Sequence, residues 1–162
     1  MVSLGKVPTT GDVRVTLLAR TVLMLPLLLP MVDATAEPYL PWQVRDYAIA
    51  EPLGGLIGDA VRGRAVVVDR ARGNCLACHQ MPIPEQPAHG TIGPPLYGVG
   101  ARLTAAQLRL RVVDEKQINP ETIMPGFYRA PPLLNRPRPD ATGTILTAQE
   151  VEDVVAYLGT LK

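Results

Sequence analysis

The segment Cys75-Leu76-Ala77-Cys78-His79 decides how the rest of this sequence is interpreted. The spacing C-x-x-C-H is the attachment motif of c-type haem. Two thiols one helical turn apart can each form a thioether with a haem vinyl group, and the imidazole of the next residue then faces the iron. We therefore predict one haem c, bound covalently through Cys75 and Cys78, with His79 as an axial ligand of the iron.

Three other roles for this segment agree less well with the sequence. A thioredoxin-like redox pair needs a βαβ setting, which the sequence pattern does not contain. A zinc site needs two further Cys or His ligands, and the chain has only two Cys and two His in total, the second His being His89. A disulfide between Cys75 and Cys78 would leave His79 without a purpose.

The second axial ligand has to come from another part of the chain. Met81 lies two residues beyond His79, so we expect it on the proximal side of the haem. Met124 is followed by Pro125, which stiffens the backbone of a loop that must hold a thioether in place. We predict His79 and Met124 as the axial pair. A bis-histidine site with His89 and an open iron site remain as alternatives.

Composition limits the class of protein. The chain has 162 residues and 17.5 kDa, the size of one domain, and 16 basic against 15 acidic residues give no signal for nucleic-acid binding. Its 17 Pro and 14 Gly predict long loops. Aromatic residues are few, with one Phe and one Trp, so a large apolar cofactor would have to fill the centre of the core.

The first 36 residues have the pattern of an export signal. Lys6, Arg14 and Arg20 precede the apolar residues 21–32, and the small-x-small site Ala34-Thr35-Ala36 follows. A membrane anchor agrees less well with this segment, because a helix that spans a bilayer needs about 20 apolar residues. We expect cleavage near Ala36 and a mature protein in the periplasm.

The first predicted helix follows directly on an N-cap. Asp59 can accept hydrogen bonds from the free amides of the first turn. Val61, Ala65 and Val68 recur at helical spacing and predict the buried stripe. Gly73-Asn74 predicts the end of this helix.

Two more helices are predicted, over residues 104–114 and from Thr147 onward. Thr147 and Glu150 have the spacing of a capping box, and the apolar face of the last helix consists of Val151, Val154, Val155, Leu158 and Leu161. No alternating strand pattern is present. We predict an all-α fold of three main helices with long Pro/Gly-rich loops around one haem, comprising an irregular N-terminal extension (37–57) and a haem domain (58–162).

From about Gly58 to Lys162 the sequence resembles class I cytochrome c and, within it, SoxX, the monohaem subunit of the SoxAX cytochromes of bacterial sulfur oxidation. The resemblance rests on four stretches, of which the third and fourth are the more specific: residues 72–79 (RGNCLACH), 98–102 (GVGAR), 119–125 (NPETIMP) and 146–158 (LTAQEVEDVVAYL).

The resemblance implies a class I cytochrome c fold. In that family the carbonyl of the residue matching Pro94 accepts a hydrogen bond from the haem histidine, here His79. The first and last helices of the family cross each other, which would set Gly63 and Val67 against Val154 and Tyr157.

The resemblance also implies a function. A SoxA-type partner would hold the modified catalytic cysteine that couples thiosulfate to a cysteine of a sulfur-carrier protein. This chain would be the electron-transfer subunit of that L-cysteine S-thiosulfotransferase heterodimer, without a catalytic residue of its own, and would pass electrons to a small periplasmic cytochrome c. A free-standing electron shuttle, and a haem sensor or peroxidase with an open iron, remain as alternatives.

Four arginines near the predicted haem loops are candidate docking contacts for a partner. An equally good interpretation is that they are solvated loop charges. They are Arg102, Arg129, Arg136 and Arg138.

Overall fold

The computed structural model describes residues 38–129 and 143–162. The predicted signal segment, Arg136 and Arg138 lie outside the described residues. Four α-helices occur in the described part: α1 (Ala60–Val68), α2 (Val99–Arg102), α3 (Ala105–Asp114) and α4 (Ala148–Thr160). Short 3-10 turns occur at Leu53–Gly55, Cys75–Ala77 and Glu115–Gln117.

The described residues form a helical structure without a sheet. Their only β-type pairing is an isolated bridge between Arg45 and Ala48. Among these residues, every helix is too short or too polar to cross a lipid bilayer. The predicted all-α fold is confirmed, and α2 is a short addition to the three predicted helices.

The helix starts follow from local side-chain chemistry. Asp59 Oδ1 accepts hydrogen bonds from the backbone N–H groups of Val61 and Arg62 at 2.8 and 2.9 Å. The capping box of Thr147 and Glu150 is present at the start of α4, as predicted. A second capping box, formed by Thr104 with a glutamine three residues later, starts α3 and was not predicted.

The first helix is shorter than predicted. It ends at Val68, with Asp69 as its C-cap, and not at Gly73-Asn74. Asp69 bends the chain away from the helix, because its Oδ1 accepts the N–H of Ala71 at 2.8 Å and its carbonyl accepts the N–H of Asn74 at 2.9 Å. Asn74 does adopt a left-handed conformation, but there it leads into the turn that begins at Cys75.

The predicted buried stripe of α1 is wrong at two of its three residues, whereas Val68 is half-buried and packs against the core. Val61 is 81% exposed and Ala65 is exposed, whereas Gly63 and Val67 are buried. Apolar residues occur on almost every side of this helix, so their spacing alone does not select one face. The buried face is the one on which a glycine permits close contact with another helix.

That contact is the crossing of α1 and α4. A Cβ atom on Gly63 would lie 1.9 Å from the carbonyl oxygen of Asp153 and 2.9 Å from the backbone nitrogen of Val154. The two backbones therefore touch at a point where no side chain fits. The crossing that the resemblance implied is present at Gly63.

Two acidic residues of α4 form hydrogen bonds with other segments of the chain. The first is Asp153. Its carboxylate accepts the Asp59 backbone N–H at 2.7 Å and two hydrogen bonds from Arg62 at 2.8 and 2.9 Å. Burial disfavours the ionised form, but these hydrogen bonds and one from Gln149 outweigh it, so the pKa of Asp153 is lowered. The start of α1 is thereby attached to α4.

Glu152, the second acidic residue, attaches the N-terminal extension. It forms a two-bond ion pair with Arg109 of α3 at 2.8 and 2.9 Å, and both side chains are buried. Glu152 also accepts the Leu53 N–H at 2.9 Å, and Arg109 donates to the Ile49 carbonyl at 2.7 Å. The extension is therefore fixed to two helices by buried charges.

The beginning of the extension packs against Tyr128. The ring of Tyr39 stacks on that of Tyr128 with centroids 5.1 Å apart. The backbone N–H of Leu40 donates to the Tyr128 hydroxyl at 2.7 Å. The indole N–H of Trp42 donates to the backbone carbonyl of Tyr128 at 3.3 Å. The described residues of the extension, 38–57, thus lie against the haem domain.

Replacement of Gly63 tests the helix crossing. We expect Gly63→Ala to lower the free energy of unfolding by at least about 2 kcal/mol, because the added methyl overlaps backbone atoms that cannot move aside. The control is Gly159→Ala in α4, where a new Cβ meets nothing within 4 Å. Urea denaturation of the two variants measures the difference, and equal stability would contradict the crossing.

Replacement of Arg109 tests the attachment of the extension. We expect Arg109→Met to destabilise the protein by about 3–5 kcal/mol, because Glu152 is left as a buried, unpaired charge. Limited proteolysis should then cut within residues 38–57. The control is Arg111→Met, which removes a more exposed arginine and its (i, i+4) ion pair with Glu115 at 2.7 Å. This variant should lower the free energy of unfolding by about 0.5 kcal/mol. Unchanged proteolysis in Arg109→Met would refute the attachment.

Candidate haem site

The C-x-x-C-H segment forms one tight turn. A 3-10 turn spans Cys75–Ala77, and the N–H groups of Cys78 and His79 both donate to the Cys75 carbonyl, at 3.1 and 2.9 Å. No disulfide joins the two cysteines. Both thiols and the imidazole therefore belong to a single rigid unit, which is the arrangement that attachment of haem requires.

The environment of Cys75 is inconsistent with a redox-active pair. Burial raises the pKa of the Cys75 thiol to about 12. Catalytic thiols of redox enzymes have lowered pKa values, since the thiolate is the attacking species.

The imidazole of His79 is held by a single strong contact. Its Nδ1 lies 2.7 Å from the carbonyl oxygen of Pro94. A carbonyl can only accept, so Nδ1 carries the proton and Nε2 keeps its lone pair. This is the tautomer that a metal ligand needs, with the outer nitrogen fixed by a backbone acceptor.

Gly93 supports the same ring from one side. A Cβ on Gly93 would lie 2.4 Å from Cε1 and 2.8 Å from Nε2 of His79. The N–H of Gly93 in turn donates to the carbonyl of Cys78 at 2.9 Å. Sequence analysis did not identify this contact, because it depends on how the loop after the motif folds back.

An apolar cavity lies beside this turn. Its wall combines side chains of α3, α4 and the two Pro/Gly-rich loops, and the imidazole of His79 is its one titratable nitrogen. The lining residues are Cys75, His79, Met81, Leu96, Val112, Met124, Phe127, Leu146, Val154 and Leu158.

The cavity brings together His79 and Met124, which are 45 positions apart in the sequence. His89 is not part of its lining in the described part of the chain; its Nδ1 instead accepts the backbone N–H of Met81 at 3.1 Å. Met81 is buried and also reaches the cavity wall, which sequence analysis did not anticipate. The wall thus contains two thioethers and one imidazole.

The loop that carries Met124 is attached to the end of α3. Phe127 and Tyr128 donate their backbone N–H groups to the carbonyls of Val112 and Val113 at 3.2 and 3.1 Å. Leu146 donates to the Phe127 carbonyl at 2.9 Å, which joins the segment before α4 to the same place. Backbone hydrogen bonds therefore connect Val112, Phe127 and Leu146, which all line the cavity.

Two of the four candidate docking arginines are described, and both have partners within the chain. Arg102 donates to the Tyr97 carbonyl at 2.6 Å. Arg129 is largely buried and pairs with Asp114 at 3.2 Å. Arg129 therefore holds its own loop, and a role in docking has no support from its position.

Comparison with known proteins agrees with this geometry. Residues 60–162 match the family model for cytochrome c. The chain belongs to the cytochrome c family. Its structure is similar to a chain in the crystal structure of SoxXA from P. pantotrophus, with 37% sequence identity and a TM-score of 0.69, covering 75% of this chain and 94% of that one. No curated protein matches this chain.

These two matches identify a SoxX-type class I cytochrome c, an electron-transfer protein with covalently bound haem c. The described residues fit that cofactor. The cavity wall is apolar, as the face of a porphyrin requires, and it offers an imidazole and thioethers, which are the usual haem ligands of electron-transfer cytochromes.

The two methionines of the cavity give a direct test of the predicted axial ligand. We expect Met124→Ala to abolish the long-wavelength methionine–iron band of the ferric protein and to permit carbon monoxide binding in the ferrous form. Met81→Ala should keep the band, because Met81 lies only two residues beyond His79 and is expected on the same side of the haem as His79. Visible spectra of both purified variants measure this. Retention of the band in Met124→Ala would show that the assignment of Met124 is wrong.

Proposed function

We propose that this chain is the electron-transfer subunit of a periplasmic SoxAX-type heterodimer that oxidises thiosulfate. The observation that carries the proposal is a single apolar cavity that contains both His79 and Met124, in a chain 37% identical to part of SoxXA. A cavity of this kind suits storage and transfer of an electron, whereas a substrate would need an open iron position or a polar pocket.

Each residue of the site has a specific task in this proposal. Cys75 and Cys78 would hold the cofactor covalently, and His79 and Met124 would ligate its iron. When bound, the haem accepts and releases one electron at a time. Methionine as the second ligand favours the reduced state and raises the reduction potential, which suits an acceptor. Ligation of the iron by both His79 and Met124 would leave no position at which a substrate could bind.

The oxidation itself belongs to the partner subunit. Coupling of thiosulfate to a carrier-protein thiol forms a sulfur–sulfur bond and releases two electrons and the thiol proton. Both cysteines of this chain are used for haem attachment, so it supplies no sulfur nucleophile. Its task is to take up the electrons singly and to pass them to a small periplasmic cytochrome c.

Exposed apolar side chains occur on both loops that carry the axial residues. Ile92, next to Gly93, is 68% exposed, and Ile123, next to Met124, is 76% exposed. Isolated apolar side chains on a surface need no explanation. Ile123 adjoins Met124, however, and Ile92 adjoins the glycine that contacts His79, so a partner that receives or supplies electrons would approach here. We propose that Ile123 and Ile92 contact the SoxA-type subunit.

Co-purification tests the proposal. A tagged copy of this chain, expressed with a SoxA-type cytochrome in a host that matures c-type haem, should bring the second cytochrome with it. Thiosulfate and a carrier protein should then reduce the haem of the complex but not that of the isolated chain. A tagged chain that purifies alone as a monomer and exchanges electrons equally well would favour the free-standing shuttle.

Matched serine variants test the contact surface. Ile123→Ser should weaken binding of the SoxA-type partner by about 10- to 150-fold, because an isoleucine buried in an interface contributes about 1.5–3 kcal/mol. Ile57→Ser is the control, since Ile57 is 87% exposed but lies at the end of the N-terminal extension, three residues before α1. Titration by calorimetry measures both affinities. Equal affinities for the two variants would place the interface elsewhere.

A further inference from the structure

The stretch before Met124 forms a closed turn. The N–H of Thr122 donates to the Asn119 carbonyl at 3.1 Å, and the N–H of Glu121 donates to the Asn119 side-chain oxygen at 3.1 Å. Pro120 occupies the second position of the turn, where its fixed φ is favourable. The chain therefore reaches Met124 from a preformed bend.

Lys116 fastens this bend to the end of α3. Its side chain is half-buried, and its ammonium group donates to the carbonyl oxygens of Pro120 and Thr122, both at 3.0 Å. Lys116 itself belongs to the 3-10 turn that directly follows α3. A charged donor that bridges two carbonyls binds more strongly than a neutral one would.

Thr122 continues the connection to Met124. Its hydroxyl oxygen accepts the backbone N–H of Met124 at 3.2 Å, while its carbonyl accepts from Lys116. The residue after Met124 is Pro125, which has no N–H to donate. The hydrogen bond to Thr122 is thus the local anchor of the backbone at Met124.

We propose that Lys116 and Thr122 are positioning residues that hold Met124 against the haem iron and make the sixth ligand slow to exchange. The connection runs from α3 through the Lys116 ammonium to Thr122, and from the Thr122 hydroxyl to the Met124 amide. The inference rests on the proposed role of Met124 as axial ligand. It explains why the run from Asn119 to Pro125 contains these residue types at these positions.

The physical consequence concerns the two oxidation states. Ferric iron binds a thioether less tightly than ferrous iron does, so a mobile loop would let external ligands compete in the oxidised state. With haem bound, a loop fixed to α3 would keep the Met124 thioether close to the iron in both states. Electron transfer would then need no rearrangement of the ligands.

The experiment measures displacement of the methionine by imidazole in the ferric holoprotein. We expect Lys116→Met and Thr122→Val to increase the rate of imidazole binding by about tenfold, which corresponds to loss of one to two hydrogen bonds. The methionine–iron band should also weaken at lower temperature than in the parent protein. Thr122→Ser retains the hydroxyl and should restore the parent rate.

The chain offers a matched lysine control. Lys162 also donates its ammonium group to a backbone carbonyl, that of Gly100 at 2.5 Å, but at the C-terminus of the chain. Lys162→Met should leave the imidazole rate unchanged. Thermal unfolding of all variants separates a general loss of stability from a specific effect on the ligand.

The outcomes are distinct. Unchanged imidazole rates in Lys116→Met and Thr122→Val would overturn the positioning role while the methionine band persists and the ligand assignment stands. An equal acceleration in Lys162→Met would also overturn it, because the effect would then be general. Absence of the methionine–iron band from the parent protein would refute the ligand assignment itself, and the positioning role with it.

Discussion

The close contact between the first and last helices supports the rest of this structure. At the Gly63 crossing the backbone of α1 rests on that of α4 at Asp153. The carboxylates of Glu152 and Asp153 extend the contact, because they bind the amides of Leu53 and Asp59, 99 and 94 residues earlier in the sequence. Such long-range pairs close large loops, which is entropically unfavourable until many contacts form together. The N-terminal extension, α1 and α3 therefore depend on one C-terminal helix.

The haem cavity is a consequence of that arrangement. Val154 and Leu158 of α4 form part of its wall, and the remainder comes from α3 and from the loops that carry His79 and Met124. These loops contain little regular secondary structure, so individual contacts to backbone carbonyls hold them. Pro94 holds the imidazole, and Lys116 holds the turn before the thioether. A cytochrome needs this kind of rigidity, because a fixed ligand set keeps the reorganisation that accompanies electron transfer small.

The same geometry limits what this chain can do chemically. The cysteines of the C-x-x-C-H segment lie in one turn with His79, and burial raises the pKa of the Cys75 thiol to about 12. Such a turn is suited to attachment of a cofactor and poorly suited to thiol exchange. In the proposed complex the sulfur chemistry would therefore take place on another subunit. The exposed side chains of Ile92, next to Gly93, and Ile123, next to the proposed ligand Met124, are where we propose that such a subunit approaches.

The sequence by itself determined the features that arise within a few residues. The C-x-x-C-H turn, the cap at Asp59 and the capping box at Thr147 each join groups two to four positions apart, so their spacing is sufficient to predict them. The tertiary structure decided which face of α1 is buried, where α1 ends, and that Arg109 and Glu152 pair inside the protein. It also decided that Met81 reaches the cavity while His89 does not. Those outcomes depend on close approach between segments far apart in the chain, and a nearly all-apolar helix or a Pro/Gly-rich loop carries no local pattern that specifies its neighbour.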